Sequence, residues 1–442
     1  MQTDRRSLLA SAMALGAAAG TPVLVRAAQG APLSPAFPSG FLWGASTAAH
    51  QVEGNNLNAD LWVIENLPNT MFADRSGDAA NSLELWPVDL DLVKGLGLNT
   101  YRFSLEWARI EPDKGHFSNA MLDHYKAMIA GCRARGIKPV VTFNHFTTPR
   151  WFAAQGGWGN PESVTLFARF CDRAVRHLGA GIELALTLNE PNLAGLLGEL
   201  LPAQLVAGDK AMQEAAARQL GVAQYAPGVA IWVEEPATYR AHMMEAHRRG
   251  VAAIKSVRPD LPVGVSLAII DDQAIGRHSL RDRMRERYYG EWLRLAAQTC
   301  DFIGVQNYER KVWNDRGVVP PPADARKNFT GAEVWAGSLA GAVRYAWEAT
   351  KLPVYVTEHG VNTTDDSLRQ WLIPAALAEL KRAIDDGVPV RGYMHWSLLD
   401  NFEWGFGYAH RFGLHSVDPA TFARTAKPSA AVLGAIARRN SL

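Results

Sequence analysis

The sequence predicts an α/β fold, a single (β/α)8 TIM barrel, on three observations. From about residue 40, short runs of β-branched and aromatic residues alternate with longer stretches of helical period, the pattern of parallel strands joined by helical crossovers. Eight such pairs occur along the chain, the number that closes a barrel. The 442 residues are 48% hydrophobic and 20% charged, which supplies a large core, and barrels with insertions run past roughly 400 residues as one domain.

The strand candidates fall at 41–46, 99–105, 138–144, 183–190, 262–268, 301–308, 352–358 and 390–398. Between them lie amphipathic stretches such as 121–135, 164–178, 239–257, 285–297 and 367–386, with a last helix near 429–438. Two segments exceed what a crossover needs. The first, 193–236, includes an Ala, Gln and Glu-rich helical portion, and the second, 312–329, is rich in Pro, Asp and Asn. Both fall on the strand-to-helix side, where barrel enzymes build their sites, so both are expected to shape the pocket mouth.

Arg5 and Arg6 precede an apolar run over 8–20, with small residues at Ala27 and Ala28. This pattern predicts a twin-arginine export signal over 1–30, a periplasmic or secreted location, and one catalytic domain over 31–442. The run is shorter than the roughly 20 residues that span a bilayer, so no stable membrane insertion is expected after the signal is removed. A formal net charge of +1 gives no basic field for nucleic acid. Cys132, Cys171 and Cys300 offer neither a disulfide framework nor zinc spacing and read as buried thiols. A homo-oligomer is left open.

Residues at the carboxyl ends of barrel strands point into the mouth of the site. Here they are polar at almost every strand: Gln51 after the first, Arg102 on the second, Asn144 and His145 at the third, Asn189 and Glu190 at the fourth. Gln306, Asn307 and Tyr308 end the sixth strand, Glu358 and His359 the seventh, and Trp396 the eighth, followed by Glu403 and Trp404. Glu190 and Glu358 each follow an apolar run that lowers the local dielectric. Glycoside cleavage needs such a pair, one carboxyl protonated to donate to the leaving oxygen and one ionised to attack the anomeric carbon or direct water. Trp151, Trp396, Trp404 and Phe412 offer flat faces for the C–H side of a pyranose, and Gln51, His145, Asn189 and Glu403 suit its hydroxyls. A neutral sugar fits this set.

Five motifs carry a resemblance. They are FLWGASTAAHQVEG at 41–54, YRFSLEWARI at 101–110, TLNEP at 187–191, VTEHG at 356–360 and HWSLLDNFEW at 395–404. The chain resembles glycoside hydrolase family 1, the β-glucosidase and β-galactosidase group, from about Phe37 to Ser429. The resemblance implies a retaining β-glycosidase that removes terminal non-reducing β-D-glycosyl residues from small glycosides or oligosaccharides through a covalent glycosyl intermediate. Glu190 is then the general acid/base and Glu358 the nucleophile. Asn189 would hold the sugar 2-hydroxyl, while Gln51, His145, Tyr308, Trp396, Glu403 and Trp404 match substrate-binding positions. Arg102 and Tyr308 match those that support the nucleophile. No metal or organic cofactor is implied.

The chain departs from the family pattern in three places. His359 stands where Asn is usual and is expected to titrate near neutral pH. Gln306 takes the place of the strand-six Asn, and Phe146 that of a Trp. Glu403, His410 and Phe412 argue against a 6-phosphate substrate. Two alternatives accompany this reading, an endo-acting β-glucanase of the same clan and a non-catalytic glycan-binding protein. For Arg102 the structural alternative is an ion pair with Glu106; Glu53 reads as a turn-region surface carboxylate or one standing behind the site, His50 as structural, and Trp43 and Trp107 as core. Aglycone choice is expected to reside in 193–236.

Overall fold

The structure is a computed structural model, and it describes residues 36–193, 197–198 and 201–442. The export-signal segment 1–30 lies outside the described residues. Eight parallel strands form a closed barrel: β1 Leu42–Ser46, β2 Thr100–Ser104, β3 Lys138–Asn144, β4 Leu184–Asn189, β5 Val263–Ala268, β6 Phe302–Asn307, β7 Val354–His359 and β8 Val390–Trp396. Each pairs with its neighbours in chain order, and β1 closes on β8 in the register Ser46 opposite Trp396. The predicted strands agree to within two residues at nearly every end; β7 runs one residue further, through His359.

The barrel is layered. Leu42, Val140, Leu184, Leu186, Phe302 and Met394 form one apolar cluster contributed by five of the strands. A polar layer carries on from it: Arg102 Nε donates to Thr142 Oγ1 at 3.1 Å, Ser46 Oγ to the Thr357 carbonyl at 2.7 Å, and Ser266 Oγ lies 3.0 Å from Thr357 Oγ1. An arginine buried in a barrel interior must find acceptors for its whole fork. That demand is met at the strand ends, where the site begins.

Outside, helices such as Asn119–Ala134, Ser163–Leu178, Pro236–Val257 and Asp366–Asp385 turn apolar faces onto the strands. The helices Ser82–Gly95 and Ser338–Thr350 complete crossovers that the sequence reading did not single out. Trp43 and Trp107, at 2% and 1% exposure, belong to the core as expected.

Both long insertions carry more order than a loop. In 193–236 the helix Ala203–Leu220 packs Met212, Ala216 and Ala217 against Leu61 and Ile64. Two buried carboxylates fasten the segment: Asp60 accepts from the Gly228 amide at 2.6 Å, and Asp209 from those of Ile231 and Trp232 at 3.0 and 2.9 Å. The other insertion is not irregular throughout. Arg310–Trp313, at its junction with β6, and Val318–Val319 within it form a three-stranded sheet with Asp271–Ala274, which follows β5. Pro and Asp residues hid those strands because each is only two to four residues long.

Candidate active site

The ends of β2, β4, β6 and β7 meet in a closed ring of hydrogen bonds. Arg102 Nη1 donates to Glu358 Oε1 at 2.6 Å and Arg102 Nη2 to Asn189 Oδ1 at 2.6 Å. Facing it, the Gln306 amide nitrogen donates to the same two acceptors, at 2.9 Å to Glu358 Oε1 and 2.8 Å to Asn189 Oδ1. The other Glu358 oxygen, Oε2, accepts from the Tyr308 hydroxyl at 2.7 Å. Arg102 thus pairs with Glu358, and Glu106 is bound instead by Thr147 Oγ1 at 2.8 Å and the Ala108 amide at 3.2 Å.

Glu190 follows β4 with its backbone in the left-handed region, φ 43°. It is half-buried, and no donor among the described residues bonds its carboxyl. The two carboxyls are therefore set apart by their surroundings. Burial, and then the Glu358 charge, raise Glu190 well above the ordinary range, with Arg102 only partly opposing. Burial also raises Glu358, and the Arg102 charge and the bonds from Tyr308 and Arg102 oppose it only in part, so Glu358 stays above its ordinary range but is raised less than Glu190. The proton shared by this coupled pair resides on Glu190.

Opposite lies a wall of rings and amides. The His145 ring is near-parallel to Trp396 and Trp404, with centroids 5.8 and 6.3 Å away. Asn189 Nδ2 lies 3.3 Å from His145 Nε2, and burial followed by the Arg102 charge holds His145 well below its usual value, hence neutral. Trp404 is flanked by His50 at 5.7 Å and by the edge of Phe146 at 5.4 Å. Trp396 Nε1 donates to Glu403 Oε1 at 3.3 Å. Gln51 Nε2 donates to the Phe402 carbonyl at 2.9 Å and to Asn401 Oδ1 at 3.0 Å, leaving Gln51 Oε1 without a partner among the described residues. A buried acceptor left open beside aromatic faces is what a hydroxyl-bearing ligand satisfies. Close approach of β7 to β8 keeps the wall together: a Cβ on Gly360 would strike the Trp396 carbonyl oxygen.

Of the residues named at the sequence level, Gln51, Arg102, His145, Asn189, Glu190, Tyr308, Glu358, Trp396, Glu403 and Trp404 are brought together in this one constellation. Three expectations are corrected. His359 is fully enclosed and burial drives it down to about 3, so it does not titrate near neutrality; its Nδ1 lies 3.0 Å from the Tyr393 hydroxyl. Trp151 packs edge-on against Trp107 and donates to the Glu111 carbonyl at 2.8 Å, in the outer layer. Of the two readings of Glu53 the surface one is overturned: it is buried, bound by Arg109 at 2.8 Å and Tyr125 at 2.9 Å. Sequence reasoning missed the acidic layer under Trp404. There His50 lies 3.5 Å from Glu65, and burial raises Glu106 to about 7. His50 lies on the short helix Ala49–Val52, whereas Glu65 and Glu106 come from other parts of the chain, so no local pattern pointed to this layer. Among the described residues no cluster of three or more His, Cys, Asp or Glu is disposed to hold a metal, and the three thiols are unpaired.

The glycosyl hydrolase family 1 model matches residues 33–292 and 290–442. A β-glucosidase from Agrobacterium sp. is 32% identical, covering 92% of this chain and 96% of its own. A crystal structure of β-glycosidase BGL167 is 43% identical with a TM-score of 0.86, covering 92% of this chain and 98% of that one. The apo structure of a β-glucosidase, 1317, is 39% identical with a TM-score of 0.86, covering 90% and 98%. The chain belongs to glycosyl hydrolase family 1 and is a glycoside hydrolase of the retaining β-glycosidase type.

Proposed function

We propose that the enzyme removes terminal non-reducing β-D-glycosyl residues, β-glucosides foremost, from small glycosides, with Glu190 as acid/base and Glu358 as nucleophile. The observation that carries this reading is the contrast between the two carboxyls: among the described residues three donors surround Glu358, and none reaches Glu190. Glu190 gives its proton to the leaving oxygen as a Glu358 oxygen attacks the anomeric carbon and the glycosidic bond breaks. A glycosyl ester forms. Glu190, now ionised, takes a proton from water, which attacks the same carbon and releases Glu358. Asn189 holds the 2-hydroxyl, where bonds that tighten in the transition state count most. Gln51, His145, Trp396, Glu403 and Trp404 hold the rest of the ring. An endo-acting or non-catalytic role is not favoured, since curated relatives matching nearly the full chain are named β-glucosidases.

The test is Glu358→Ala with an activated aryl β-glucoside. Activity is lost, and azide, attacking from the vacated face, restores it with formation of the α-glycosyl azide. A β-azide product, or an active variant, removes Glu358 from this role.

We further infer export through the twin-arginine pattern of Arg5 and Arg6. Activity that stays in the periplasmic fraction after Arg5→Lys with Arg6→Lys would argue against it. Each site residue named comes from one chain, so the reading does not require an oligomer.

A further inference from the structure

Gln306 satisfies a demand that Arg102 alone leaves open. The arginine fork gives one hydrogen to Glu358 Oε1 and one to Asn189 Oδ1, and each of these oxygens has a second lone pair. The Gln306 amide has two hydrogens, and both are used, one on each oxygen. Four donors' hydrogens and two acceptors close without remainder. The reverse amide orientation would set a third oxygen against a carboxylate and a carbonyl, so the assignment is fixed by the neighbours. It holds although Gln306 Oε1 is left buried without a partner among the described residues, a price met only where the nitrogen is needed.

Two consequences follow. Asn189 Oδ1 is saturated, which directs the Asn189 Nδ2 group away from the ring, toward His145 Nε2 at 3.3 Å. Glu358 Oε1 is saturated too, whereas Oε2 has the single bond from Tyr308. We propose that Gln306 is a positioning residue that locks the Glu358 carboxylate and the Asn189 amide into one frame, so that nucleophile and 2-hydroxyl donor meet the same sugar in register. This rests on the roles proposed above for Glu358 and Asn189. Gln306 bonds the Glu358 carboxylate and the Asn189 amide, and it acts through both of those side chains.

The experiment compares an aryl β-glucoside with its 2-deoxy counterpart, with wild type, Gln306→Met and Gln306→Glu. Wild-type turnover of the glucoside tests the functional reading separately, and its absence would defeat that reading before Gln306 is considered. In Gln306→Met, kcat/KM is expected to fall for both substrates, and at least about tenfold further for the glucoside, because only that substrate presents the hydroxyl Asn189 holds. The loss is expected in kcat rather than KM, since the bond tightens in the transition state. A merely structural role would scale both substrates together. An unchanged ratio of the two kcat/KM values, or unchanged rates, overturns the proposal. Should Gln306→Met fail to fold, Gln306→Glu keeps the shape, gives up the paired N–H groups and is read by the same ratio.

Discussion

His359 Nδ1 and the Tyr393 hydroxyl lie 3.0 Å apart, directly behind the strand end that carries Glu358. The same hydroxyl reaches His395 Nδ1 at 3.1 Å, so one tyrosine bridges two buried imidazoles. Burial keeps both rings neutral, His359 down to about 3 and His395 well below its usual value. His359→Asn, which retains an amide for Tyr393, is therefore expected to leave both limbs of the kcat/KM against pH profile in place between pH 5 and 8. A limb that moves in this variant would mean the imidazole titrates after all.

Tyr308 is the one donor to Glu358 Oε2 among the described residues. Losing a hydrogen bond to a charged group costs about 1.5–3 kcal/mol, so Tyr308→Phe should lower kcat/KM by roughly 10- to 100-fold. The sign of the pH effect follows from the ionised form being the reactive one. With a donor gone, Glu358 holds its proton more tightly, and the acidic limb shifts to higher pH. Rate profiles of the two proteins on one substrate decide it.

Burial and the Glu358 charge raise Glu190. Its protonated form is required, so activity falls as pH climbs through that raised value. Glu190→Gln removes this alkaline limb. The variant should turn over dinitrophenyl glycosides, which leave without a proton, far better than alkyl glycosides; an equal loss on both would contradict an acid role.

Asp366 anchors the last helix, Pro428–Arg439. It accepts from the Ser429 amide at 2.8 Å and the Ser429 hydroxyl at 2.7 Å, and it pairs with Arg369 at 2.5 Å. Burial alone would raise its pKa, but the Ser429 bonds and Arg369 prevail, and the folded value is lowered. Its contribution is thus present above the unfolded carboxylate range and lost as pH falls through the folded value. Asp366→Ala should lower stability at pH 7 by about 1–2 kcal/mol, the range for a lost helix-start acceptor. Urea melts at pH 7 and in acid measure both parts, and the gap between the proteins should narrow in acid.

Strands were the most legible part of the sequence, because both faces of a parallel barrel strand are buried and the apolar runs stand out. Glu190 and Glu358 could be placed at strand ends for the same reason. What escaped was pairing between distant strands. Whether Arg102 meets Glu106 or Glu358 depends on the stagger of the closed barrel, which no local pattern records. Gln306 was visible as a departure, yet its two acceptors come from β4 and β7. His359 carried a titratable side chain in the sequence and lost that property through burial, which is a tertiary fact.

The left-handed backbone at Glu190 has company: Phe146 has φ 68° and Trp404 φ 51°, and both are non-glycine residues beside His145. An L-residue held this way gives up about 1–2 kcal/mol relative to an ordinary conformation. Glu190→Gly and Glu190→Ala both delete the carboxyl, yet only glycine sits there at ease, and its variant should melt at the higher temperature. The pocket is thus assembled against local preference at three points, and any programme of heat-hardening that relaxes them will trade turnover for endurance.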